Sequence, residues 1–125
     1  MAEVDATAIV FNARYLEYLD IALSEYLRAL FGAAHLDTPI RFVRSAIDYR
    51  APCRFDELLD LCIACRRIGR TSITFGWEFH GAGGGEDLRC EGETVIVHVA
   101  GARPAPVPDA LIAAFERYEG RRLRA

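Results

Sequence analysis

An acidic residue, Asp5, stands seven positions before Asn12, and Asn12 opens the only long apolar helix pattern in the chain. The first N–H groups of a helix have no partner within it, so they favour negative charge that develops on a nearby oxygen. A carboxylate next to such a helix start is a candidate active site. Taken alone, an aspartate near a chain start reads as a solvated side chain. Glu17 is the rival carboxylate, but it shares the polar stripe of the helix with Asp20, Ser24 and Arg28, which argues for a solvated or interface role.

Two basic groups, Arg66, Arg67 and Arg70 and then Arg121, Arg122 and Arg124, leave room for a local phosphate site. The net charge of −3 argues against nonspecific nucleic-acid binding, which depends on neutralising many phosphates. Among Cys53, Cys62, Cys65 and Cys90, the second and third form a CxxC pair. They fall in a strand pattern, where residues three apart point to opposite faces, so they read as buried, reduced thiols and not as a metal or redox site. His35, His80 and His98 are scattered without metal-ligand spacing, and Trp77 keeps the phase of core residues and reads as packing. The run from Gly81 to Asp87 lacks a Gly-Lys-Ser/Thr ending and leads into a strand, so it reads as a mobile hairpin connection.

The elements that must position these residues follow from periodicity. Tyr15, Leu19, Ala22, Leu23, Tyr26 and Leu30 share one helical stripe, widened by Leu16 and Leu27, between an Asn12 N-cap and Gly32. So much apolar surface requires a wrapping layer. Thr38 to Tyr49 has β-branched and aromatic content with imperfect alternation, which predicts a strand with a bulge. Further strands are predicted over Leu58 to Ile68, over Ser72 to His80 with Ile73, Phe75, Trp77 and Phe79 as the core face, and over Leu88 to Ala100 with Val95, Val97 and Val99 on one face. An extended Arg103 to Pro108 leads into a short amphipathic helix, Asp109 to Tyr118, and the tail beyond Gly120 is expected to be loose. Consecutive strands with short connections favour an antiparallel sheet, so the 125 residues read as one α+β domain with a helix packed on one sheet face. No window approaches the roughly 18 apolar residues of a membrane span. No basic-then-apolar leader opens the chain either, so a cytoplasmic protein is expected.

The run Asp5-Ala-Thr-Ala-Ile-Val-Phe-Asn-Ala-Arg-Tyr-Leu-Glu-Tyr-Leu-Asp20 resembles the signature of the 4-hydroxybenzoyl-CoA thioesterase family of hotdog-fold proteins. That signature is an Asp, a small-residue turn, two apolar residues, an aromatic, and a helix opening toward a Tyr. Thr38-Pro39-Ile40 entering a strand, Tyr49 with Pro52 and Phe55-Asp56 at the next turn, and Arg67-Ile68-Gly69-Arg70-Thr71-Ser72 between two strands extend the match. The resemblance implies a hotdog fold, in which a curved antiparallel sheet wraps a long central helix. It also implies homodimers or tetramers with active sites at the subunit interface.

Residue roles are implied as well. Asp5 is the catalytic carboxylate, acting on the thioester carbon as nucleophile or activating a water as general base. The backbone N–H of Asn12 polarises the thioester carbonyl, an interaction typically worth about 3 to 4 kcal/mol in the transition state. Asp20 matches a helix carboxylate that reads a phenolic hydroxyl from the partner subunit, and Thr38 is a further substrate-binding position. The aromatics Phe11, Tyr15 and Tyr18 suit an aromatic ring or a short aliphatic chain of the substrate, and helix packing explains them equally well. Arg66, Arg67, Arg70 and Thr71 fall where the family places coenzyme A phosphate contacts, which suit the planar guanidinium fork. Two departures touch the signature: Ala8 stands where the pattern has Gly and stiffens or shifts the turn, and with only Met1 to Val4 ahead of Asp5 a first strand is short or begins upstream. The expected function is hydrolysis of an aromatic or short- to medium-chain acyl-CoA, with no cofactor beyond the coenzyme A of the substrate. Two alternatives stay open: a non-catalytic acyl-CoA-binding or sensing protein, and a thioesterase for acyl groups on a carrier protein.

Overall fold

A run in which every second residue is large and apolar can bury one face of a strand. Ser72–Gly81 (β3) is such a run, and it lies inside the sheet between Leu59–Ile68 (β2) and Leu88–Ala100 (β4), with Ile40–Tyr49 (β1) on the far side of β4. All these pairings are antiparallel. The structure, a computed structural model, describes residues 17, 19–32, 39–50, 59–81 and 87–124. The glycine-rich run joins β3 to β4 as a hairpin, with the Gly81 N–H donating to the Asp87 carbonyl at 2.9 Å. Residues 82–86 of that run lie outside the described residues. Past β4 the chain reverses at Gly101, whose φ of 64° favours glycine, and Arg103–Pro104 (β5) pairs back on Val99 and Ala100.

Residues 19–31 form the long helix (α1), with Leu19, Leu23, Tyr26 and Leu27 buried and Glu17, Asp20, Ser24 and Arg28 exposed, as the spacing predicts. The stripe packs on Cys65, Ile68, Ile73, Phe75 and Ile96 of the sheet, and Ile112 and Phe115 of Asp109–Glu119 (α2) complete the same core with Val107 and Leu123. The rings of Tyr26, Phe75 and Phe115 lie 5.3 to 5.9 Å apart, centroid to centroid. Full burial of one such ring stabilises the fold by about 1.5–3 kcal/mol. Among the described residues, no helix is long and apolar enough to cross a membrane.

Two bulges set which side chains meet the helix. The expected one lies in β1, where the register shifts between Phe42 and Arg44. A second, between Cys65 and Arg67, brings Cys65 and Ile68 to the same helix-facing side although they are three residues apart, and both are fully buried. Ahead of that bulge the CxxC pair points to opposite faces as expected, but only Cys65 is buried; Cys62 is exposed on the other face of the strand, which corrects the expectation of two buried thiols. On β4 the face that turns to the helix is Cys90, Thr94 and Ile96, while Val95 and Val97 on the other face are half-buried.

The tail beyond Gly120 is not loose but docked on the edge of β2, which corrects the expectation. The Ile68 N–H donates to the Leu123 carbonyl at 3.0 Å, Ile68 and Arg124 form a parallel bridge, and the Leu123 side chain is buried. Arg121 donates to the carbonyls of Cys65 and Arg66 at 3.1 Å each. The turn into this hook is made by Gly120 at φ 73° and by Glu116 Oε2, which accepts from the N–H groups of Leu123 at 2.7 Å and Arg124 at 3.2 Å. Polar composition signals a loose end, yet here the polar groups satisfy backbone groups that a sheet edge would otherwise leave bare.

Those two N–H donors hold the Glu116 carboxyl below its usual range. A depressed carboxyl contributes stability that is present above its unfolded pKa and lost as pH falls through the folded value. Glu116→Gln is therefore expected to lower the thermal midpoint at neutral pH. Its gap to the wild type should close as pH is taken from about 5 to about 2, as read by paired thermal melts across that range.

Candidate active site

Asp5, Phe11, Asn12, Tyr15 and Thr38 lie outside the described residues. Asp20 is exposed on the stripe of α1 that faces away from the core. At the N-terminal end of α1, Leu19 packs in one cluster with Trp77, Phe79 and Cys90, and Ile47 of β1 packs against it. The helix start therefore sits at the Trp77–Cys90 end of the sheet.

Around that end, the helix-facing side of β1 is open. Pairing sets Phe42, Ser45, Ile47 and Tyr49 opposite Ile96, Thr94, Gly92 and Cys90, which are the helix-facing residues of β4. Phe42 and Tyr49 are each 50% exposed, Ser45 is exposed and Ile47 half-buried. Gly92 makes room for the indole of Trp77, since a Cβ there would meet the Ala46 carbonyl and stand 2.7 Å from Cζ2 of the ring. From that seat Trp77 Nε1 donates to Thr94 Oγ1 at 3.1 Å, and Ser45 Oγ lies 3.1 Å from the same oxygen. Trp77 is thus the packing residue that its phase predicts, 2% exposed, and also the anchor of a hydroxyl pair. Sequence reasoning missed that pair, for which the available signal was a threonine in phase with Cys90 and Ile96.

Of the predicted phosphate-binding arginines, Arg66 and Arg67 share the sheet face away from α1, while Arg70 lies in the turn that follows. Arg67 stands opposite Thr74, on the sheet face away from α1, and lies 3.8 Å from Glu93. Arg66, the bulge residue, lies across Gly76, where a Cβ would collide with its guanidinium. Arg70 occupies the turn closed by the Gly69 N–H on the Ser72 carbonyl at 2.8 Å, with its own carbonyl accepting from Val107 at 2.8 Å. The Thr71 carbonyl accepts from the His98 N–H at 2.8 Å. All three arginines are exposed, and ion pairs at such positions contribute little to stability.

On the β2 flank of α1, an open groove of about 370 Å³ runs between Ile21, Ala22 and Glu25, the strand residues Leu61 and Ile63, and Tyr118 of α2. Close by, Glu119 Oε2 accepts from the Tyr26 hydroxyl at 2.6 Å and the Cys65 N–H at 2.8 Å. Burial, reinforced by Glu119, pushes the Tyr26 hydroxyl far above its ordinary range and the Cys65 thiol up to about 12. A thiol so buried stays protonated at neutral pH and is not a nucleophile. Among the described residues, no three His, Cys, Asp or Glu side chains are grouped to hold a metal ion.

Comparison with known proteins gives a consistent picture. The thioesterase superfamily model matches residues 7–96. Among solved structures, the chain is similar to a thioesterase of Thermus thermophilus complexed with coenzyme A and zinc, at 25% identity and TM-score 0.80, over 90% of this chain and 82% of that one. It shares its fold with a thioesterase superfamily protein of Jannaschia sp. CCS1, at 23% identity and TM-score 0.72 over 84% and 77% of the two chains. A gentisyl-coenzyme A thioesterase also shares it, at 21% identity and TM-score 0.67 over 82% of each chain. A search of curated protein sequences gave no significant match.

Proposed function

Since the chain belongs to the thioesterase superfamily, with its hotdog fold and thioester-hydrolase chemistry, we propose that it hydrolyses an aromatic or short- to medium-chain acyl-CoA to free acid and coenzyme A. The observation that carries this reading is the match over residues 7–96, which takes in α1 and β1 through most of β4. The likeness to a solved thioesterase that holds coenzyme A supports it.

In this reading Asp5 and Asn12 divide the chemistry. The Asp5 carboxylate attacks the thioester carbon, or takes a proton from the water that does so. Attack moves the carbonyl π electrons onto oxygen, and the Asn12 N–H, at the positive end of the helix, stabilises that oxyanion. Its collapse breaks the C–S bond, and the coenzyme A thiolate leaves and takes up a proton. If Asp5 is the nucleophile, water then cleaves the acyl-aspartyl anhydride and restores the carboxylate. Phe11, Tyr15, Asp20 and Thr38 border the acyl group, and Arg66, Arg67, Arg70 and Thr71 serve the coenzyme A phosphates. No metal or redox cofactor enters the reaction.

A second copy completes the site. The ten residues of β1 form an edge strand with Phe42, Val43 and Tyr49 exposed at 50, 53 and 50%. An edge of that length and character invites antiparallel pairing, so the assembly is a homodimer or a tetramer made of two. The test is a panel of aromatic, short and medium acyl-CoA esters, with the same acyl groups on a carrier protein, assayed for thiol release. Release from at least one coenzyme A ester is expected, and no release anywhere would sink the reading.

A further inference from the structure

The hydroxyl pair beside the start of α1 has a direction. Trp77 Nε1 can only donate, so Thr94 Oγ1 is its acceptor. The Thr94 side chain is buried, 1% exposed, and its own proton needs an acceptor too. Ser45 Oγ, 3.1 Å away, is the acceptor that the described residues provide. The opposite polarity, with Ser45 donating to Thr94, strands a buried hydroxyl proton, which is the costly arrangement. The chain of bonds therefore runs from the indole N–H to Thr94 and on to Ser45, each bond polarising the next. The last proton, that of Ser45, is left for something outside the sheet, on the helix-facing side of β1.

We propose that Ser45 is a specificity-determining residue, whose hydroxyl donates to an oxygen carried by the acyl group and so selects hydroxy-, keto- or carboxy-substituted acyl thioesters over plain hydrocarbon ones. The inference rests on the thioesterase reading above and names its substrate class. A hydroxyl donor set between the apolar side chains Phe42 and Ile47 is how small-molecule sites orient a ligand. That donor is oriented before the ligand arrives, so little ordering remains to oppose binding. Leu19, in the first described turn of α1, packs in the same cluster as the indole that anchors the chain. Thr94 and Trp77 do not touch the acyl group; they are positioning residues that act through Ser45.

The test uses matched esters, 3-hydroxybutanoyl-CoA against butanoyl-CoA and 3-hydroxybenzoyl-CoA against benzoyl-CoA. In at least one pair the wild type is expected to favour the hydroxylated member. Ser45→Ala is then expected to lower kcat/KM for that member about tenfold and to leave its deoxy counterpart within about twofold. Thr94→Val should lose the same selectivity, and Thr94→Ser, which keeps the hydroxyl, should retain it. Equal loss on both members of a pair, or loss on neither, overturns the proposal. A wild type that hydrolyses none of these esters and none of the wider panel overturns the thioesterase reading instead. Ser45 is then judged by calorimetric binding of the same esters, where equal affinity for both members of each pair overturns its role.

Discussion

Asp5→Asn is expected to lower the turnover of an acyl-CoA by about a thousandfold or more while leaving coenzyme A affinity within about twofold. Asparagine matches aspartate in size, yet it neither attacks carbon nor takes a proton from water. The variant should therefore lose an interaction that exists only in the transition state, so that kcat falls and substrate binding persists. Steady-state thiol release measured beside a calorimetric titration with coenzyme A reads both quantities. Turnover within about tenfold of the wild type would remove Asp5 from the chemistry and direct attention to Glu17, which is exposed on α1.

Phe115→Ala is expected to destabilise the fold by about 3–5 kcal/mol, the usual range for deleting a buried phenyl ring. Phe115 is 1% exposed and stands 5.8 Å from Tyr26, 6.2 Å from Phe31 and 5.9 Å from Phe75, centroid to centroid. It therefore joins α2 to α1 and to β3 at one point. The same helix carries Glu119, which holds Tyr26 and the Cys65 N–H, and Glu116, which holds the hook. Loosening α2 should thus be felt on both layers, and urea unfolding of the two proteins measures the difference. A loss below about 1.5 kcal/mol would mean that the ring's neighbours close over the gap or that α2 is held chiefly by its polar contacts.

Much of the fold was legible because single-strand and single-helix periodicity carried it. Ile73, Phe75, Trp77 and Phe79 alternate without interruption, and the α1 stripe keeps helical spacing from Leu19 to Leu30, so both faces could be drawn without knowing what they meet. β4 was harder, since Val95 and Val97 alternate with Thr94 and Ile96 and either set suits a buried face. Register with β3 decides between them, and register is a property of two strands. The second bulge was hidden for the same reason, because Cys65, Arg66 and Arg67 carry no mark of an extra residue until Phe75 and Thr74 are set opposite them. The hook was misread because its partners are backbone atoms of β2, more than fifty residues away in sequence.

The candidate site divides in the same way. Asp5 and Asn12 rest on a resemblance that ties a carboxylate to a helix start and lie outside the described residues, while Arg66, Arg67 and Arg70 looked like one cluster because they are close in sequence. A strand sends neighbours to opposite faces and the bulge sends Arg66 and Arg67 together to the face away from α1, so proximity in sequence did not translate into proximity to the helix. Ser45, Trp77 and Thr94 come from three different strands, and no spacing rule on one chain segment could have joined them.

The docked tail also bears on how copies of the chain can add to one another. Cys65 and Ile68 give their N–H groups to Glu119 and Leu123, and Arg121 takes the carbonyls of Cys65 and Arg66, so this stretch of β2 has nothing left for another strand. A sheet bare along both margins can lengthen at either one, copy after copy, into a fibre. With this stretch of β2 occupied, strand pairing between copies is favoured at β1. Two copies that meet there about a two-fold axis consume each other's reactive margin, and growth ends with the pair. In the pair proposed above, a few residues of the docked tail would thereby help to make assembly self-limiting.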